Sequence, residues 1–206
     1  MMLASLRRWL DRRRHGDGPW GGLLAPPPAG EWVSLDLETT GLDTTRDHIL
    51  TIAAIPVSAG RVHLADRFEA VVRPPDGAPR AADIEAIRHH RLRPQDLAHG
   101  SDVQVAVAQL LDWLGPRTLI GYRIGFDVAI LDRIVPAITG FRLPNPHIDI
   151  ALEYAAHAHR NPDAGLDTTG FETVAAALGV PMLGRHTALG DATTAAACWL
   201  ALRARR

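Results

Sequence analysis

In Trp32-Val33-Ser34-Leu35-Asp36-Leu37-Glu38, apolar residues alternate with less apolar ones. This is the period of a β-strand, and it sets Val33, Leu35 and Leu37 on one face and Ser34, Asp36 and Glu38 on the other. Two carboxylates therefore project side by side. Taken alone, such a strand is most often an edge strand with a solvated polar face. The Thr39-Thr40-Gly41 that follows argues against that reading, because a glycine-permitted turn exposes backbone N–H groups beside the carboxylates.

The rest of the chain supplies a sheet for this strand to join. A turn over 40–47, a strand over 49–57, a turn at Gly60 and a strand over 61–72 complete a three-stranded meander. Val103, Val107, Leu110, Leu111 and Leu114 then recur at helical spacing, and a short buried strand over 118–122 follows Gly115-Pro116. Further helices are expected over 126–138, 150–158, 171–178 and 191–203. There is no internal repeat. A meander followed by αβα and more helices implies an α/β domain, with a mixed sheet flanked by helices. With 206 residues, 47% of them hydrophobic, the expectation is one such domain.

The formal charge of −1 hides an asymmetry. Residues 1–14 hold five arginines and one aspartate, a charge of +4, which leaves −5 on the rest. A mildly acidic body has no global field to draw in nucleic acid and must use metal ions and local arginines instead. Leu3, Leu6, Trp9 and Leu10 lie opposite Arg7, Arg8, Arg12, Arg13 and Arg14, the pattern of a basic amphipathic helix. Residues 15–30 are rich in Gly and Pro and read as a linker. Residues 1–30 are thus expected to form an arm, and 31–206 the domain. The arm is open to three readings: packing or docking of a protein partner, contact with nucleic acid or a membrane surface, and a presequence. The single cysteine, Cys198, offers neither a disulfide nor a thiolate metal site, and no apolar run approaches a bilayer span. A cytoplasmic protein is expected.

Asp127 opens an expected helix whose i+3, i+4 and i+7 neighbours are Ile130, Leu131 and Ile134, so it lies on the core-facing stripe. Asp191 opens the last helix after Gly190. Each, taken singly, reads equally well as a helix cap. His186 stands five positions before Asp191, near enough to reach the same water. Asp36, Glu38, Asp127 and Asp191 with His186 suit hydrolysis at a pair of divalent cations about 4 Å apart, the imidazole accepting the proton of the attacking water.

Together these residues resemble the DEDDh family of 3′→5′ exonucleases. The first motif is Asp36-Leu37-Glu38-Thr39-Thr40-Gly41-Leu42, the second spans 121–127 and ends at Asp127, and the third runs from His186 to Asp191 and Ala192. Less specific matches are His90-Arg91-Leu92-Arg93-Pro94 and His147-Ile148-Asp149. The resemblance covers about residues 31–204, and three ordered motifs are a far stronger signal than any one of them. It implies a ribonuclease-H-like fold with a mixed five-stranded sheet, two Mg²⁺ or Mn²⁺ ions held by Asp36, Glu38, Asp127 and Asp191, and His186 as general base. Thr39, Thr40, Gly41, Leu42, Arg123 and Phe126 would bind nucleic acid, with single-stranded or frayed DNA 3′ ends the favoured substrate, in proofreading or repair. RNA ends or short oligoribonucleotides are the nearest alternative, since metal-binding motifs do not read the 2′-OH. A non-catalytic nucleic-acid-binding module is the third.

One position departs from the family. Its second motif usually reads His-Asn-x-x-Phe-Asp, and this chain has Tyr122-Arg123-Ile124-Gly125-Phe126-Asp127. The aspartate survives while arginine replaces a polar amide, either to meet substrate phosphate or to close an internal salt bridge.

Overall fold

The computed structural model describes residues 2–75, 92–160 and 170–205. His90 and Arg91, part of one of the weaker motif matches, lie outside them. The central strand β1 (Glu31–Thr39) pairs antiparallel with β2 (Ile49–Ser58) along its whole length, with a register shift between Glu38 and Thr39. On its other side it pairs parallel with β5 (Thr118–Gly121), which in turn carries β6 (His147–Asp149) in parallel. Two short strands, β3 (Arg61–Val62) and β4 (Phe68–Val71), run antiparallel to opposite ends of β2.

Among the described residues the sheet thus has six strands, where five were expected. The strand expected over 61–72 divides, because Leu64–Asp66 fold into a 3₁₀ turn and break the ladder. β6 has three residues, too short for periodicity to reveal. The same holds for the four-residue helix α2 (Pro94–Leu97).

Helices cover both faces. α3 (Val103–Leu114) and α4 (Gly125–Thr139) enclose Val33, Leu35 and Leu37 together with Leu110, Leu111, Ile130 and Leu131. α5 (Ile150–Arg160), α6 (Phe171–Leu178) and α7 (Ala188–Ala204) build a second core in which Ile120, Tyr154, Val174 and Trp199 are buried. Each such side chain contributes roughly 1.5–3 kcal/mol by leaving water. Pairing with β2 on one side and β5 on the other also makes β1, which carries Asp36 and Glu38, an interior strand and not a solvated edge.

α7 lies across β1 and β2. The buried Ser34 hydroxyl donates to the carbonyl of Ala192 at 2.7 Å, pinning the helix to the strand that carries Asp36 and Glu38. Gly190 permits the fit, since a Cβ there would lie 2.1 Å from the carbonyl oxygens of both Leu183 and Gly184. The helix starts three residues earlier than the periodicity suggested. Thr187 is its N-cap, accepting from the Gly190 amide at 3.1 Å, so Asp191 does not cap the helix and its carboxylate is left for other work.

The amino-terminal arm packs on the body. Helix α1 (Met2–His15) is held by Arg8, which donates to the carbonyls of Ala25 and, at 3.1 Å, Pro144. Within the stretch read as a linker, Gly21–Leu24 form a 3₁₀ helix, and Leu23 and Leu24 are buried in the first core. Pro144 precedes β6, so the arm sits where the parallel strands begin, at the end of the sheet opposite Asp36 and Glu38. No helix among the described residues is long and apolar enough to cross a membrane.

Candidate active site

The strand alternation read from sequence sends Asp36 and Glu38 toward α7, where Asp191 occupies the first turn. Ligand oxygens of the three carboxylates all lie within 4.8 Å of one another. Asp127 arrives from the first turn of α4 and accepts a hydrogen bond from the Leu37 amide at 2.9 Å through Oδ1. It therefore joins the cluster through the backbone between Asp36 and Glu38 and stands outside the closest three. Neither Asp127 nor Asp191 is a cap: α4 has no side-chain cap at Ile124.

Crowding and burial push these acids upward. Asp36 stands well above the ordinary carboxylate range, chiefly through burial and then through the charges of Asp127, Glu38 and Asp191. Burial lifts Glu38 to about 7, with Asp191 adding to it. Asp127 rises to about 8, again through burial, although the Leu37 amide works against the shift. Asp191 is raised by burial and partly offset by the Arg185 guanidinium. A cluster that holds its protons so strongly is short of positive charge. Asp191 Oδ1 is also buried without a hydrogen-bond partner, an atom that costs free energy unless something binds it. An all-oxygen donor set of this kind fits a hard divalent cation.

His186 lies in the turn before α7 with φ +63°, a backbone region that non-glycine residues seldom adopt. Its amide donates to Asp191 Oδ2 at 3.3 Å, which brings this turn against the cluster.

The turn after β1 differs from expectation in its cause. Gly41 does not have a positive φ; a Cβ there would lie 2.6 Å from the Asp47 carboxylate and would push it from its bonds to Thr40 and Asp43. Two of the turn's amides are already used, Thr40 donating to the His48 carbonyl at 2.9 Å and Asp43 to Asp47 at 2.7 Å. The Thr40 hydroxyl donates to Asp47 at 2.8 Å and that of Thr39 to the Gly41 carbonyl at 2.7 Å. The turn is thus internally braced, and its tip presents Leu42, 88% exposed.

Arg123 also has a left-handed backbone, φ +54°, fixed by donation from its amide to Asp149 Oδ1 at 3.0 Å. Its guanidinium lies over the Tyr122 ring at 5.8 Å and closes no salt bridge among the described residues. Phe126 is half-buried at the start of α4. Sequence reasoning gave no role to Arg185, which reaches Asp191, or to Glu172, which holds Arg185. Adjacency to His186 was the available signal.

The family model described as Exonuclease, of the RNase T type, matches residues 33–198. The chain belongs to the RNase T exonuclease family. Its fold is accordingly the ribonuclease-H-like exonuclease fold, and the family is one of divalent-metal-dependent exonucleases. DNA polymerase III subunit epsilon of Aquifex aeolicus is 25% identical over 168 residues, 81% of this chain and 77% of the relative. The PolC-type DNA polymerase III of Lacticaseibacillus paracasei is 30% identical over 132 residues, 64% of this chain but 9% of the relative. Oligoribonuclease of Mycobacterium ulcerans is 33% identical over 121 residues, 54% of this chain and 56% of the relative. Among solved structures, E. coli Exonuclease I in complex with a dT13 oligonucleotide superposes with a TM-score of 0.70 at 20% identity, covering 85% of this chain and 41% of that one. The chain therefore spans well under two thirds of the PolC and Exonuclease I chains.

Proposed function

We infer that this protein is a metal-dependent 3′→5′ exonuclease acting on DNA 3′ ends, in proofreading or repair, with residues 31–206 as the exonuclease domain and 1–30 as an arm packed on it. The observation that carries the reading is the convergence of Asp36, Glu38 and Asp191 oxygens within 4.8 Å in a chain of the exonuclease family. Asp36, Glu38 and Asp191 would hold Mg²⁺ or Mn²⁺, with Asp127 serving a second ion directly or through water. Bound divalent cations supply charge neutralisation at the phosphate and an acidified water.

The remaining residues act around that centre. His186 takes the proton from the attacking water. Thr39, Thr40, Gly41 and Leu42 receive the terminal nucleotide, the braced turn offering a fixed surface and Leu42 an exposed apolar side chain to set against a base. Phe126 flanks the approach, and Arg123, with its guanidinium free of ion pairs among the described residues, meets a phosphate. The likeness to DNA polymerase III epsilon supports DNA as substrate. The likeness to an oligoribonuclease supports a second reading, RNA ends or short oligoribonucleotides.

A time course with labelled single-stranded DNA, duplex DNA and RNA, with and without Mn²⁺, tests the assignment. Metal-dependent shortening of single-stranded DNA from the 3′ end, faster than that of RNA, supports the first reading. Faster loss of RNA supports the second, and no shortening of any substrate refutes both.

A further inference from the structure

Among the described residues, Arg185 is the arginine that reaches the carboxylate cluster. Its Nη1 donates to Asp191 Oδ2, and its Nε donates to Glu172 Oε1 at 2.6 Å. The guanidinium lies over Phe171, with Cζ 5.5 Å from the ring centroid. Phe171 is itself locked in place by stacking on Tyr122, centroids 4.4 Å apart and planes 16° from parallel. The two ends of the guanidinium therefore differ in what holds them. Nε is tethered at the rim, where Glu172 is 55% exposed, whereas Nη1 occupies an oxygen of a side chain that is 7% exposed.

That oxygen belongs to one of the three carboxylates proposed above as metal ligands. A guanidinium on Oδ2 and a divalent cation on the unpartnered Oδ1 of the same carboxylate repel at such range, so the two compete for Asp191. We propose that Arg185 exchanges partners: it is the counter-cation of the cluster when no metal is bound, and it yields Asp191 to the metal and turns its Nη edge to a phosphate oxygen of the substrate. The inference rests on the metal-site reading. Glu172 and Phe171 keep the guanidinium at the mouth of the site throughout, and only its Nη end changes partner. Arginine suits this role where lysine does not, because its planar fork separates a donor for the tether from donors for the phosphate.

The test is Mn²⁺ binding to the full chain, followed by electron paramagnetic resonance, together with binding of a labelled single-stranded oligonucleotide in Ca²⁺. Arg185→Gln is expected to bind Mn²⁺ about twofold to fivefold more tightly, the upper part of the range for one partly exposed charge pair. It should also bind the oligonucleotide more weakly, with a shallower dependence on salt. Arg185→Lys keeps the charge and should hold Mn²⁺ as the wild type does while still losing oligonucleotide affinity. Mn²⁺ affinity unchanged or reduced in Arg185→Gln overturns the exchange, as does unchanged oligonucleotide affinity. A wild type that binds no Mn²⁺ overturns the metal-site reading along with it. If Arg185→Gln does not fold, Glu172→Gln cuts the tether alone; weaker oligonucleotide binding at unchanged Mn²⁺ affinity supports the proposal, and unchanged oligonucleotide binding overturns it.

Discussion

The amide of Leu37 donates to Asp127 Oδ1 at 2.9 Å, joining positions 90 residues apart. This bond makes Asp127 unlike Asp36. The Asp36 carboxylate accepts no hydrogen bond among the described residues and is opposed by burial and by three neighbouring carboxylates. Without metal, Asp127→Ala is therefore expected to lower stability by about 1–3 kcal/mol, the cost of a buried amide left without its acceptor. Asp36→Asn should leave the metal-free protein as stable as the wild type or more so. Urea melts in a chelating buffer check both.

Metal should reverse the order of Asp36→Asn and the wild type. At 100 times its dissociation constant, an ion bound only by the folded state adds about 2.7 kcal/mol. In thermal melts with Mn²⁺ the wild type should gain stability and Asp36→Asn little or none. Equal responses would remove Asp36 from the metal site.

The raised acids also fix a pH dependence. In the folded, metal-free chain Glu38 is lifted to about 7 and Asp127 to about 8, while the unfolded chain releases these protons near pH 4. Between those limits the folded state binds more protons, so stability falls as pH rises from about 4 to about 8. Metal binding displaces the same protons, so Mn²⁺ should stabilise more strongly toward pH 8. Melts at several pH values, with and without Mn²⁺, measure both slopes, and a metal-free protein that gains stability over this window would contradict the assignment.

His186→Asn should lower turnover by roughly 10²–10⁴-fold, the usual contribution of a general base. Asparagine tolerates the left-handed backbone at this position, so the fold should survive. Stabilisation by Mn²⁺ should persist as well, since the histidine handles a proton and not a metal. Loss of Mn²⁺ binding in this variant would make His186 a ligand.

Arg123→Asn restores the residue usual in the family at a position whose φ of +54° favours asparagine. The variant should melt at or above the wild-type temperature and bind single-stranded DNA more weakly, with a shallower salt dependence. An unchanged salt slope together with a lower melting temperature would show a structural role instead.

Strand alternation was enough to place Asp36 and Glu38 on one face, because a period of two leaves no choice once the other face is buried. The three motifs likewise placed Asp127, His186 and Asp191 near them. What escaped the sequence was short or distant. β6 and α2 offer too few residues for periodicity, and the division between β3 and β4 follows from a 3₁₀ turn at Leu64–Asp66 that carries no Gly or Pro signal. The packing of Leu23 and Leu24 was hidden by the prolines that follow them. The Thr187 cap was legible in kind but masked by the acid four residues later. Arg185 bridging Glu172 and Asp191 depends on the approach of α6 to the turn before α7, a tertiary fact with no local pattern.

The carboxylates gathered on β1 and α7 are proposed to form a metal centre that removes nucleotides from 3′ ends. Its most direct test is the product ladder from a 5′-labelled single-stranded oligonucleotide, run with wild type and Asp191→Asn in Mn²⁺ and in chelator. The expected result is a ladder shortening one nucleotide at a time from the 3′ end for wild type in Mn²⁺, with none in chelator and none for Asp191→Asn. A ladder that persists in Asp191→Asn, or that needs no metal, would contradict it.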